Sequence, residues 1–207
     1  MKIITFRQNE AEENSYLLID REQALVIDPG FNGEAIEQEL QRSHLMLEKV
    51  LLTHGHFDHI RDLQLLGKNR SFPVCIHPSD QMFLSDNQLN YSSAFQSTFI
   101  LPDTIRVVAV SDHGKIAFGQ TLIELHHTPG HTAGSACYSM NHSLFTGDTL
   151  FVDSIGRTDL ATGNRRQMAC SLKLFPARFS REMRVYPGHG EPGILKDILL
   201  HNPFLSQ

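Results

Sequence analysis

Cysteine is scarce in this chain. Cys75, Cys137 and Cys170 are odd in number, and no two of them form a Cys-x-x-Cys pair. The set therefore reads as reduced thiols acting as small core residues in a cytoplasm, and it excludes both a disulfide framework and a cysteine-rich zinc site. Long apolar runs are also missing. Nothing approaches the ~20 apolar residues that a membrane span requires, and the start, Met1 to Arg7, holds too short a run for a signal peptide. There is no excess of basic charge: the formal net charge is -5, which gives no electrostatic footprint for nucleic acid. Lys173, Arg178, Arg181 and Arg184 lie close together and read as a solvated helix face. What remains is ordinary globular composition, 41% hydrophobic and 20% charged over 207 residues, enough for one sizeable core. The expectation is a single domain over residues 1–207, cytoplasmic, with neither membrane nor nucleic acid as partner.

Short apolar runs punctuated by turn residues dominate the first half. Lys2–Phe6, Tyr16–Asp20 and Ala24–Asp28 read as strands, and Asp28-Pro29-Gly30 stops the third, since proline lacks the donor and glycine accepts a turn conformation. Glu34–Leu45 has apolar residues on roughly one helical face. Glu48–Thr53 is the next strand, Ile60–Leu66 returns to helical spacing, Phe72–Ile76 is strand-like and Pro78–Leu84 a short helix. Ser85–Phe99 turns polar and reads as a surface loop or lid. The second half runs Ile105–Val110, Lys115–Phe118, Thr121–His127, Ser135–Met140 and Ser143–Thr146 as strands, then a helix from Arg165 to about Phe175 and the strand Met183–Tyr186. Pattern alone gives mixed α and β in one domain.

Four of these apolar runs end in metal-type residues. Val50–Thr53 leads into His54-Gly55-His56-Phe57-Asp58-His59. Thr121–His127 leads through Thr128-Pro129-Gly130 to His131, Leu144–Thr146 through Gly147 to Asp148, and Arg184–Tyr186 through Pro187-Gly188 to His189. Neutral imidazole and carboxylate suit Zn²⁺, with Fe and Mn also accepted, and the glycines let the backbone turn each side chain inward. His54, His56 and His131 supply three positions of one cation; Asp58, His59 and His189 supply three of a second. Asp148 is left to bridge the two, which keeps an open position on each. Taken singly, His131, His189 and Asp148 are ordinary loop residues; the compact cluster after Thr53 carries the metal reading. His127 is a candidate for the layer behind the ligands, and the other histidines, His113 and His126 among them, read as surface or core residues.

In order, Asn14-Ser15-Tyr16, Asp28-Pro29-Gly30, Thr53–His59, His127–Thr132, Gly147-Asp148 and Pro187-Gly188-His189-Gly190 resemble the metallo-β-lactamase superfamily over nearly the whole chain. The resemblance implies an α+β fold, a four-layer αβ/βα sandwich of two mixed sheets flanked by helices, with a dinuclear metal site. Ser154–Leu160, Val185–Gly190 and Asn202-Pro203-Phe204-Leu205 look like the glyoxalase II group, the hydroxyacylglutathione hydrolases, and within it the short bacterial type. Fewer than twenty residues follow His189-Gly190, so the C-terminal helical domain that holds glutathione in longer members is expected to be missing, and Thr162-Gly163-Asn164 stands where Gly-Gly-Asp is often seen. The best-known lactamases of the superfamily have Cys where Asp148 stands, so antibiotic hydrolysis is not expected.

The resemblance implies a hydrolase that cleaves a thioester, S-lactoylglutathione or a related hydroxyacyl thiol, with a small-molecule substrate and two divalent cations, zinc foremost. A metal-bridging hydroxide would attack the thioester carbonyl, with Asp58 holding the second metal and orienting the hydroxide. Arg157 is a candidate substrate-facing residue, with a structural salt bridge as its plainer role. The alternative within the superfamily is a mononuclear iron persulfide dioxygenase, which shares the histidine cluster and uses two His and one Asp. Leu160 and the Tyr-Pro-Gly-His-Gly ending favour the hydrolase.

Overall fold

The apolar runs of the first half, joined by the run Ile105–Val110 that the sequence reading placed in the second, form one six-stranded sheet. A computed structural model describes residues 1–7 and 12–205, and the chain divides into two compact units, Met1–Val110 and Ser111–Gln207. In the first unit, β1 (Lys2–Arg7), β2 (Asn14–Asp20) and β3 (Gln23–Ile27) pair antiparallel, and β4 (Met46–Leu51), β5 (Pro73–Ile76) and β6 (Arg106–Ala109) continue in parallel from β3. Parallel pairing needs a crossover between successive strands. Helix α1 (Gly33–Arg42) provides the one from β3 to β4, and α2 (Phe57–Ile60) with α3 (Leu63–Leu66) lie on the one from β4 to β5. The central strands are buried on both faces: Leu17, Ala24, Val26, Val50 and Val74 face the helices, and the alternate residues Leu18, Leu25, Ile27 and Leu51 are equally inaccessible. Ile36 and Leu40 of α1 and Leu63 and Leu66 of α3 fill the helix side. Each such side chain contributes about 1.5–3 kcal/mol by leaving water.

The second unit holds β7 (Lys115–Phe118), β8 (Thr121–His127), β9 (Ala136–Met140), β10 (Ser143–Gly147), β11 (Arg184–Pro187) and β12 (Gly193–Ile194). All neighbours are antiparallel except β10 and β11, which run parallel because α4 (Arg165–Arg178) carries the chain across. Asn164 caps α4, its side-chain oxygen accepting from the amides of Arg166 and Gln167; such a cap is worth about 1 kcal/mol. Met168, Leu172 and Phe175 of α4, and Leu195 and Ile198 of α5 (Leu195–His201), pack with Cys137, Leu144 and Val185 of the sheet. The fold is α+β, two mixed sheets with flanking helices, and no described helix is long and apolar enough to cross a membrane.

One expectation changes. The helical spacing placed at Ile60–Leu66 breaks into two single-turn helices, and the first begins at Phe57, so Asp58 and His59 stand on helix. Ser85–Phe99 lies at the surface, as expected of a loop, with part of its polar side chains anchored inward. Asn90 and Ser92 are fully buried, Asn90 Nδ2 donates to the Phe83 carbonyl, and Asn87 Oδ1 accepts from Ser92 Oγ and the Phe99 amide. Asn87 and Asn90 turn inward to bond backbone, while Gln88, Ser93 and Gln96 stay exposed, so the composition resembles that of a solvated loop.

Candidate metal centre

In the first unit the ligand candidates leave the sheet where β4 ends. Leu52 still donates its amide to the Cys75 carbonyl, but Thr53 turns to Asp28 at the end of β3. The Thr53 amide donates to Asp28 Oδ1 at 2.8 Å and its hydroxyl to Oδ2 at 2.6 Å. That hydroxyl, having given its proton to the carboxylate, accepts from His54 Nδ1 at 3.1 Å, and His59 Nδ1 donates to Asp28 Oδ2 at 3.0 Å. Both rings thus keep their proton on Nδ1 and present Nε2 as the lone-pair nitrogen, which is how an outer carboxylate fixes metal-ligating histidines. The His54 ring lies 4.8 Å from that of His56 and 4.2 Å from that of His59, and His59 Nε2 stands 3.8 Å from Asp58 Oδ2. His54, His56 and His59 are buried, while the Asp58 side chain keeps 25% of its surface.

The turn through this cluster allows no side chain at Gly55. Its amide donates to the fully buried Asp80 Oδ2 at 3.1 Å, and a Cβ there would stand 2.2 Å from Phe83 Cβ. Phe57 donates its amide to the Asn90 carbonyl, which secures the start of α2.

In the second unit Asp148 follows β10 and His189 follows β11, neighbouring strands joined again where Gly188 donates to the Gly147 carbonyl. Asp148 Oδ2 lies 3.4 Å from His131 Nε2 and 3.7 Å from His189 Nε2, so one carboxylate oxygen faces two imidazoles. His131 Nδ1 donates to the Arg157 carbonyl at 2.8 Å, again leaving Nε2 as the lone-pair nitrogen. The Gly156 amide donates to the Asp148 carbonyl, and a Cβ on Gly156 would stand 2.0 Å from that oxygen, so the approach requires glycine.

The structure thus gathers His54, His56, Asp58 and His59 in the first unit and His131, Asp148 and His189 in the second. Lone-pair nitrogens held within 4 Å of carboxylate oxygens have no proton to share between them, so a cation is the group that fits. The donor set is imidazole and carboxylate throughout, which Zn²⁺, Fe and Mn all accept. The Arg157 side chain forms a bidentate pair with Asp159 at 2.8 and 2.7 Å, which holds the Asp159 carboxyl down at about 2. It is the Arg157 backbone that orients His131. His127, the candidate for the layer behind the ligands, bonds the Ala133 carbonyl through Nε2.

Sequence reasoning gave Asp28 to a turn and to a motif of the resemblance but to no role at the site, although its carboxylate orients Thr53 and His59. It also missed Glu13. That side chain is fully buried, with Oε1 accepting from Ser15 Oγ and Oε2 from Asn32 Nδ2 at 2.8 Å; burial raises its pKa to about 8. Asn202 in the C-terminal motif is structural: its Nδ2 donates to the carbonyls of Phe151 and Ser154, which holds the segment after Asp148.

Comparison with known proteins agrees with this chemistry. Residues 10–189 match the family described as the Metallo-beta-lactamase superfamily. A relative from Bacillus subtilis (strain 168), YqgX, described as a probable metallo-hydrolase, is 32% identical over 197 residues, covering 94% of this chain and 93% of its own. Among solved structures, BLEG-1 B3 metallo-beta-lactamase has a TM-score of 0.89 at 31% identity, with both chains covered completely. TTHA1623, in a di-iron-bound form, has a TM-score of 0.85 at 29% identity, covering 98% of this chain and 100% of its own.

Proposed function

The chain belongs to the metallo-beta-lactamase superfamily as a metallo-hydrolase, and from that premise we propose that it cleaves a thioester, S-lactoylglutathione or a related hydroxyacyl thiol. The residues Ser154–Leu160, Val185–Gly190 and Asn202–Leu205, which resemble the glyoxalase II group, support this substrate class. We also propose that the two units act as one catalytic domain. His54, His56 and His131 would hold one divalent cation, Asp58, His59 and His189 a second, and Asp148 would bridge them. Zinc is the first candidate by donor chemistry; the di-iron form of TTHA1623 makes iron the next.

The observation that carries the metal reading is the common protonation of three rings. Asp28, Thr53 and the Arg157 carbonyl hold the proton on Nδ1 of His59, His54 and His131, so each presents Nε2. When bound, divalent cations supply a water acidified to a pKa of about 7 and a Lewis acid for the carbonyl oxygen. The chain's own residues do the positioning. Asp58, the most exposed ligand candidate of the first cluster, would orient the attacking oxygen through its carboxylate. A thiolate leaves without a proton, so no general acid is required of the protein.

Metal content of the purified protein, measured together with thiol release from S-lactoylglutathione and hydrolysis of a cephalosporin, tests the reading. About two metals per chain with thiol release is the expected result. Cephalosporin turnover without thiol release would replace the substrate class, and one iron per chain with oxygen uptake on glutathione persulfide would replace the reaction.

A further inference from the structure

A second group of metal-type side chains lies within the second unit, apart in sequence from all the ligand candidates. His113 occupies the turn before β7, and Glu124 and His126 stand two apart on β8. Residues two apart on a strand share a face. One ligand atom from each of the three lies within 4.8 Å of the others. His113 Nδ1 is 2.8 Å from Glu124 Oε1, and His126 Nδ1 is 3.9 Å from the same oxygen. The backbone fixes the turn to the strand, since His113 donates to the Leu125 carbonyl and Leu125 to that of Gly114.

His126 points to a ligand. Its side chain is only 7% exposed, and Nε2 pairs with Ser139 Oγ at 2.7 Å. Nδ1 is buried, aimed at Glu124, and has no hydrogen-bond partner among the described residues. When Nε2 donates to Ser139 Oγ, the neutral ring presents its lone pair on Nδ1. A lone pair directed at a carboxylate is repelled unless a cation lies between them.

We propose that His113, Glu124 and His126 form a separate binding site for one divalent transition-metal ion, with Asp112 behind it. Ligand atoms around a tetrahedral zinc stand about 3.3 Å apart, so the 2.8 Å and 3.9 Å spacings each differ from that value by about half an ångström. Each ring has an outer partner for its other nitrogen: Ser139 Oγ for His126, and Asp112 Oδ2, 3.5 Å from Nε2, for His113. Binding moves the His113 proton from Nδ1 to Nε2, beside Asp112. That pairing of ligand imidazole with an outer carboxylate recurs in metal sites. Arg178 Nη1, 3.6 Å from Asp112 Oδ1, and Lys115, opposite Glu124 in the sheet, are the cations nearby. The two carboxylates offset them before a divalent ion adds its charge, so the site is weaker than one built on carboxylates alone. The solvent-facing His113, 61% exposed, leaves an open entry.

The test is equilibrium dialysis of the full-length protein against Zn²⁺, with bound metal measured by elemental analysis in wild type, His113→Ala and His126→Gln. Each variant is expected to bind one equivalent fewer than wild type while keeping the same rate of hydrolysis. Equal stoichiometry in wild type and His113→Ala would overturn the proposal. Because that side chain is exposed, its removal leaves folding intact even where His126→Gln fails. The readout is a difference between variants, so it stands whether the catalytic residues hold one metal or two.

Discussion

Asp28 and His59, 31 positions apart, are joined by a hydrogen bond of 3.0 Å between buried carboxylate and buried imidazole. The same carboxylate holds both the amide and the hydroxyl of Thr53, so one side chain at the end of β3 sets the direction of the chain leaving β4. Asp28→Asn keeps the size but can present an N–H to a ring that must itself donate. The expected result is metal affinity reduced by about 10–100-fold, read by competition with a chromogenic chelator. An unchanged affinity would mean that Asp28 serves the turn alone.

Much of this candidate centre was legible because its ligand candidates are chemically distinctive and sit where strands stop. His54, His56, Asp58, His59, His131, Asp148 and His189 could be named from residue type and spacing. Asp28 could not, since Asp-Pro-Gly reads equally well as a turn and its contacts depend on which strands become neighbours. The inward use of Asn87 and Asn90 was hidden for the same reason: a polar residue does not show in sequence whether water or backbone satisfies it. The strand β12, two residues long, and the helix α5, seven residues long, are too short for periodicity to reveal. His113 and His126 read as surface or core residues in sequence, and it is the β7–β8 pairing that brings His113 beside Glu124 and His126 of β8.

Asp58 keeps a quarter of its side-chain surface while the three histidines around it are buried. It is therefore the ligand candidate through which a second cation can be lost with the least disturbance of the fold. Asp58→Asn is expected to reduce bound metal from about two to about one per chain and to slow thioester hydrolysis by about a hundredfold or more, the several kcal/mol that a second cation supplies. Parallel elemental analysis and rate measurements decide the matter. Full metal loading and full rate in that variant would sink the two-metal mechanism.

Gly55 separates His54 from His56 and lies against Phe83, with no room for a methyl group. Gly55→Ala forces either the ring or the turn to move. The Asp80 carboxylate that accepts the Gly55 amide is buried and cannot follow freely. A loss of about 1–3 kcal/mol in stability is expected from the overpacking, visible in denaturant unfolding of the metal-free protein. A variant as stable as wild type would show that the Phe83 side yields.

Glu13 predicts the sign of a pH dependence. Burial, the largest effect, raises its carboxyl from the ordinary value of 4.5 to about 8, against the opposing influence of His59 and the hydrogen bond from Ser15. The folded state therefore holds this proton more tightly than the unfolded chain. Below pH ~4.5 both states carry it and the group has no effect on the pH slope; between ~4.5 and ~8 the unfolded chain has released it, so the contribution of Glu13 to stability falls as pH rises. Above ~8 both states are ionised and the loss is complete. Glu13→Gln keeps the amide-like shape, and its carbonyl still accepts from Asn32 Nδ2, while Ser15 Oγ can turn to accept from the new N–H. The variant's stability relative to wild type should thus increase between pH 5 and pH 8 by a few kcal/mol, about 1.4 for each pH unit traversed at most. Urea unfolding of the metal-free proteins at pH 5, 6.5 and 8 measures that trend. A difference that stays constant across the three, or that narrows towards pH 8, would mean that the donors around Glu13 keep its carboxylate ionised despite burial.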